Sequence, residues 1–128
     1  MAFETDLRAA ANRHLLAGNE LLSGSRHDVA GYLFGIAAEC AVKRLMAIAG
    51  IRRDDAFYGH FPELRTILRN FMTGRNAQIL ARFINDDAFM NNWEITMRYA
   101  AARQIRADWV ERWSKQAREV VGAMNANG

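Results

Sequence analysis

Apolar residues recur along this chain at helical rather than strand spacing. Leu7, Ala11, Leu15, Gly18 and Leu22 fall three or four residues apart with polar residues between them. That spacing predicts an amphipathic first helix starting near Asp6, with Thr5 as N-cap and Gly24 as its stop. From Ser25 to about Ala49 the pattern changes. The stretch SRHDVAGYLFGIAAECAVKRLMAIA is apolar nearly all the way round, so the second helix belongs in the middle of a bundle with neighbours on most sides. Ser25 is placed to cap it, and Asp28 stands where a capping-box acid would. The short connection predicts that the first two helices are antiparallel.

Beyond Gly50, residues 51–60 read as a loop. Pro62 suits the first turn of a third helix, with Glu63 complementing the dipole, Leu64, Ile67, Leu68 and Phe71 as its stripe and Gly74 as its end. A short fourth helix from Asn76 to about Ile84 offers Ile79, Leu80 and Phe83. Asn85-Asp86-Asp87 is a turn. Phe89 to Tyr99 has no clear period, although Trp93 and Met97 are spaced i, i+4. The last helix runs from about Gln104 to Met124 on a stripe of Ile105, Trp109, Trp113, Ala117, Val120 and Met124. The expected fold is a single all-α domain over residues 3–124, an antiparallel up-and-down bundle of four to five helices, followed by a disordered tail at 125–128.

Composition narrows the class. The chain has 128 residues, 51% of them apolar, which is enough for one domain with a real core. No run of about 18 apolar residues is unbroken, so no membrane span is expected. Phe3-Glu4-Thr5-Asp6 does not read as a signal sequence. Cys40 is the single cysteine and has no internal disulfide partner, which fits a reducing cytoplasm. The net charge is +3, and fifteen of the seventeen basic residues are arginines. No acidic residue falls between Glu63 and Asp86, while Arg65, Arg69, Arg75 and Arg82 do. They form a candidate basic surface for a phosphate backbone, or a solvated face.

Candidate chemistry centres on the second helix. Glu39 and Lys43 are an i, i+4 pair in an otherwise apolar helix. A carboxylate there must find a partner or become neutral. It is balanced either by Lys43 or in a polar pocket with Arg98, beside Tyr32. His60 caps the third helix or lines that pocket. Trp109 and Trp113 suit a core or a dimer interface, and Cys40 an inert core thiol. His14 and His27 lack partners at metal-ligand spacing, and Asp54-Asp55 and Asp86-Asp87 lack the alternation of a calcium loop. No metal and no cofactor are expected.

Four features together resemble the HEPN superfamily of nucleotidyltransferase-associated helical domains. They are Arg26-His27-Asp28 before an Ala-Gly-Tyr-Leu helix start, the core Ala37-Ala38-Glu39-Cys40-Ala41-Val42-Lys43, His60 ahead of Leu64 and Leu68, and Arg98-Tyr99 before the last helix. The resemblance implies a homodimeric helical bundle working near nucleotides, RNA or a nucleotidyltransferase-type partner, in some cases within a toxin–antitoxin or defence pair. It groups Glu39, Lys43, His60, Arg98 and Tyr99 as a nucleotide or polar pocket.

Many members of that superfamily are ribonuclease toxins with an Arg-x(4–6)-His motif at the last helix. Here no histidine follows His60, so the usual imidazole for proton transfer is missing. Arg53 and His60 have a similar spacing, but in the loop between the second and third helices. The expectation is a non-catalytic binding module. The alternatives are a ribonuclease with a rearranged site built from Arg53, His60 or Arg98, and a purely structural helper subunit of a split nucleotidyltransferase.

Overall fold

The computed structural model describes residues 3–72 and 77–127. They form six α-helices and no strand: α1 Leu7–Ser23, α2 His27–Ile48, α3 Asp54–Phe57, α4 Glu63–Phe71, α5 Gln78–Ile84 and α6 Ala107–Asn127. Two 3-10 segments, Ile95–Tyr99 and Ala102–Gln104, lead into α6. The class is all-α, a helical bundle, as the periodicity indicates. Among the described residues no helix is long and apolar enough to cross a membrane.

Several boundaries differ from the sequence reading, each for a local reason. Asp6, not Thr5, caps α1, because its side chain accepts the Ala9 N–H at 2.9 Å. Ser25 does not cap α2. It sits at φ 62° in the tight link, and Arg26 precedes the helix with no side-chain cap. Asp28 instead lies 3.6 Å from the Arg26 guanidinium. The 51–60 loop contains the short helix α3. The expected stop at Gly74 and helix start at Asn76 lie outside the described residues. Gln104 belongs to a 3-10 turn, so α6 starts at Ala107. The tail expected from residue 125 is helical to Asn127, and Asn125 exchanges amide hydrogen bonds with Asn12 at 3.1 and 2.9 Å.

α2 is the axis of the molecule. It packs along α1 and α6, and more briefly on α5 and the first 3-10 segment. Its buried positions go all the way round, including Ala30, Phe34, Ala37, Ala38, Val42 and Leu45. Gly35 cuts a notch in it. Trp93, from the stretch with no clear period, fills that notch, and its indole N–H donates to Gly31 O at 3.1 Å. A glycine inside a helix costs about 1 kcal/mol against alanine. Burying the indole, which is 1% exposed, contributes about 3 kcal/mol and offsets that cost.

Contacts at the two ends set the helix directions. Gly31, near the start of α2, meets Val110 and Trp113 near the start of α6. At the other end, Leu7 of α1 shares a cleft with Lys43 and Ala47 of α2, and Arg8 donates to Asn125 of α6 at 3.3 Å. α1 is therefore antiparallel to both α2 and α6, and α6 runs parallel to α2. The connection through α4, α5 and residues 85–106 carries the chain back to make this possible.

Candidate functional site

The carboxyl of Glu39 is 3% exposed, yet it is fully engaged. Oε2 accepts the backbone N–H of Phe61 at 2.8 Å, and Oε1 lies 2.8 Å from Nδ1 of His60. The group thus ties the residues just before α4 to the centre of the bundle. Burial pushes the carboxyl above the usual carboxylate range. The His60 and Phe61 hydrogen bonds and the His60 and Lys43 charges pull the other way without cancelling it.

Lys43 lies one turn further along α2. The expected contact ion pair with Glu39 does not form, because both Glu39 oxygens turn toward residues 60 and 61. Lys43 is only 9% exposed. Among the described residues its amine has no ion-pair or hydrogen-bond partner. Burial pushes its pKa down, opposed by the charges of Glu39 and Cys40.

Lys43 lines a cleft of about 290 Å³ where the start of α1, the end of α2 and the 51–57 segment meet. Met46, Ile51 and Phe57 give it apolar walls, and Arg52 and Arg53 bring two further cations. Gly50, at φ 77°, turns the chain back after α2, which places the arginine pair over the helix end. Arg53 is fixed by a two-pronged contact with Asp55 at 3.1 and 3.0 Å and by stacking 3.5 Å over the Phe71 ring. Arg52 is exposed and has no ion pair among the described residues. Asp54 is the one acid in the lining. The cleft presents positive charge at an apolar wall, an arrangement that receives an anion with an apolar body.

The five residues grouped from the sequence separate into two sets. Glu39, Lys43 and His60 are neighbours. Arg98 and Tyr99 are elsewhere, at the first 3-10 segment. Arg98 donates to Ile95 O at 3.3 Å and lies 5.4 Å over the Tyr32 ring. Tyr99 is 82% exposed, so it is not a core residue. Tyr32 precedes Glu39 by seven residues, about 10 Å of helix. A row of rings occupies the space alongside: Tyr32 to Trp93 at 6.1 Å, then Trp93 to Phe61 at 6.3 Å. Those rings exclude the Arg98 guanidinium from the Glu39 carboxyl.

The proposed basic surface is also divided. Arg75 lies outside the described residues. The absence of acids between residues 63 and 86 is a gap in sequence but not in space. Arg69 donates to Asp87 at 2.7 Å and to Ile84 O at 2.9 Å. Asp86 and Asp87 also act on the half-buried Arg65. Arg82 is exposed beside the Phe83 ring. Arg65 and Arg69 are therefore not unopposed charges.

Other candidates resolve simply. Trp113 is core, with its N–H donated to Asn91 O at 2.8 Å, and Trp109 is half-buried beside it. Cys40 is half-buried, and burial pushes its thiol pKa up. No cluster of three metal-ligating side chains forms among the described residues. Sequence reasoning passed over Arg52 and the cleft wall. The available signal was a basic pair two residues after the glycine that follows α2. In comparisons with known proteins, no family model, no curated protein and no solved structure matches this chain.

Proposed function

We propose that this chain is a non-catalytic binding module for a phosphate-bearing ligand, a nucleotide or RNA, which it takes in the Lys43 cleft. The observation that carries the reading is Lys43, a residue only 9% exposed whose amine has no partner among the described residues and which lines the cleft with Arg52 and Arg53. An ammonium at the wall of a partly apolar cleft is incompletely solvated, and a bound anion supplies the missing partner. The motif resemblance to HEPN domains supports a nucleotide-related role, a cytoplasmic setting and a homodimer, alone or with a nucleotidyltransferase-type protein in a toxin–antitoxin or defence pair.

Replacing Lys43 separates function from folding. Lys43→Met keeps the length and apolar volume of the side chain and removes the buried charge. Its unfolding free energy is expected to rise by about 1 kcal/mol. Phosphate and adenosine monophosphate are expected to bind wild type measurably by calorimetry and to lose that binding in the variant. A variant that binds as wild type does sinks this reading.

One observation favours a second reading, a ribonuclease with a rearranged site. The Glu39 carboxyl orients Nδ1 of His60, whose side chain is partly open to solvent, in the manner of a carboxylate-held general base. Against it, the Arg53 guanidinium is committed to Asp55. Total RNA incubated with the pure protein is expected to stay intact. Cleavage that His60→Ala abolishes would establish the enzyme instead.

A further inference from the structure

We propose that Lys43 is a reactive amine that captures a small aldehyde or ketone bearing an anionic group, as an imine, in the cleft at the end of α2. This goes beyond phosphate recognition but shares its cleft.

The argument rests first on where the amine is. A lysine that served only solubility would extend into water, and one that served the fold would hold a carboxylate. Lys43 does neither: it is 9% exposed, unpartnered among the described residues, and lines the cleft. Met46, Ile51 and Phe57 give the same cleft apolar walls, which suit the carbon body of a carbonyl compound. Arg52, exposed and without an ion pair among the described residues, is a cation in the same lining, and Arg53 beside it is held by Asp55. A carbonyl compound with a carboxylate or phosphate would place its charge on Arg52 and present its carbonyl carbon to Nζ.

Residue choice points the same way. The chain uses fifteen arginines and two lysines, Lys43 and Lys115. A guanidinium binds an anion at least as well as an ammonium but stays protonated and is no nucleophile. Where charge alone was wanted, this chain uses arginine almost throughout. Burial lowers the proton affinity of Lys43, which enlarges the neutral fraction that attacks a carbonyl. The step balances without a further reactant. The amine lone pair forms the C–N bond, and one N–H proton passes to the carbonyl oxygen. The hydroxyl then leaves as water while the second N–H proton is lost, giving C=N. Capture of this kind is binding rather than turnover.

Pyridoxal 5′-phosphate is a suitable probe, followed by borohydride reduction and peptide mass spectrometry. Lys115, exposed on α6, is the internal control. Reduced adduct is expected on Lys43 at about tenfold or more the rate on Lys115, and in Lys43→Arg the adduct at position 43 is expected to vanish. Adduct on Lys115 at an equal or greater rate in wild type overturns the proposal. Inorganic phosphate is expected to slow labelling at Lys43. Labelling at Lys43 that phosphate does not slow supports capture and overturns the phosphate reading. Phosphate binding without labelling at Lys43 overturns capture alone.

Discussion

Gly35→Ala is expected to destabilise the protein by about 4 kcal/mol, at the upper end of what a single added methyl does. A Cβ at this position would lie 1.8 Å from Cε2 and 1.9 Å from Nε1 of Trp93. The indole has nowhere to retreat. Its N–H is held by Gly31 O, its face lies against Tyr32 and the edge of Phe61 meets it. Moving it would orphan a buried donor as well as opening a void. Gly122→Ala is the matched control. It is also helical, with nothing within 4 Å of an added Cβ, and is expected to stabilise by about 0.8 kcal/mol through helix propensity alone. Urea unfolding of the two variants gives opposite signs on this account. A loss at position 35 no larger than about 1 kcal/mol would show that Trp93 is not locked in the notch.

The same notch shows what was legible in the sequence. The all-round apolarity of α2 predicts its central place, because a helix without a polar face has no side to leave in water. Gly35 leaves room on α2 for a close neighbour. Which residue filled the gap was not visible, since Trp93 comes from a stretch with no period of its own. The tension at Glu39 was legible too, but its solution was not. One partner is a backbone N–H at Phe61, and every non-proline residue carries such a donor, so nothing in the sequence singles it out. His60 was named as a candidate for the pocket and does reach Glu39. Arg98 was grouped with Glu39 on motif order, whereas helix rise and the intervening rings keep them apart. The arginines after Glu63 looked unopposed because charge was read along the chain, and the turn at Asp86-Asp87 returns the acids in space.

These two features meet in the 51–62 connection. One end of it carries Arg52, Arg53 and Phe57 to the cleft, and the other end is tied down by Glu39. The anchoring carboxyl and the unpartnered amine are four residues apart on α2. A change at Glu39 therefore reaches the cleft through the wall of the cleft rather than through the ligand.

Glu39→Ala is accordingly expected to cost about 3 kcal/mol, because it orphans the Phe61 N–H, releases His60 and leaves a void in a nearly closed space. It is also expected to weaken phosphate binding with Lys43 still present. Glu39→Gln is a different perturbation. Its amide oxygen still accepts from Phe61 and its N–H₂ still reaches Nδ1 of His60, but it does not titrate. Burial raises the folded-state pKa of Glu39 above the ordinary 4.5. For an acid shifted upward, the stabilising contribution is fully present below the unfolded value and is lost as pH rises through the folded one. The wild type, compared with Glu39→Gln, should thus be at its best below pH 4.5 and lose ground as the pH is raised from there. Unfolding free energies measured side by side from about pH 4 to about pH 8 read this difference directly. A wild-type advantage that grows with pH would mean that the hydrogen bonds from Phe61 and His60 outweigh burial, and that the fold is built to hold the carboxylate charged.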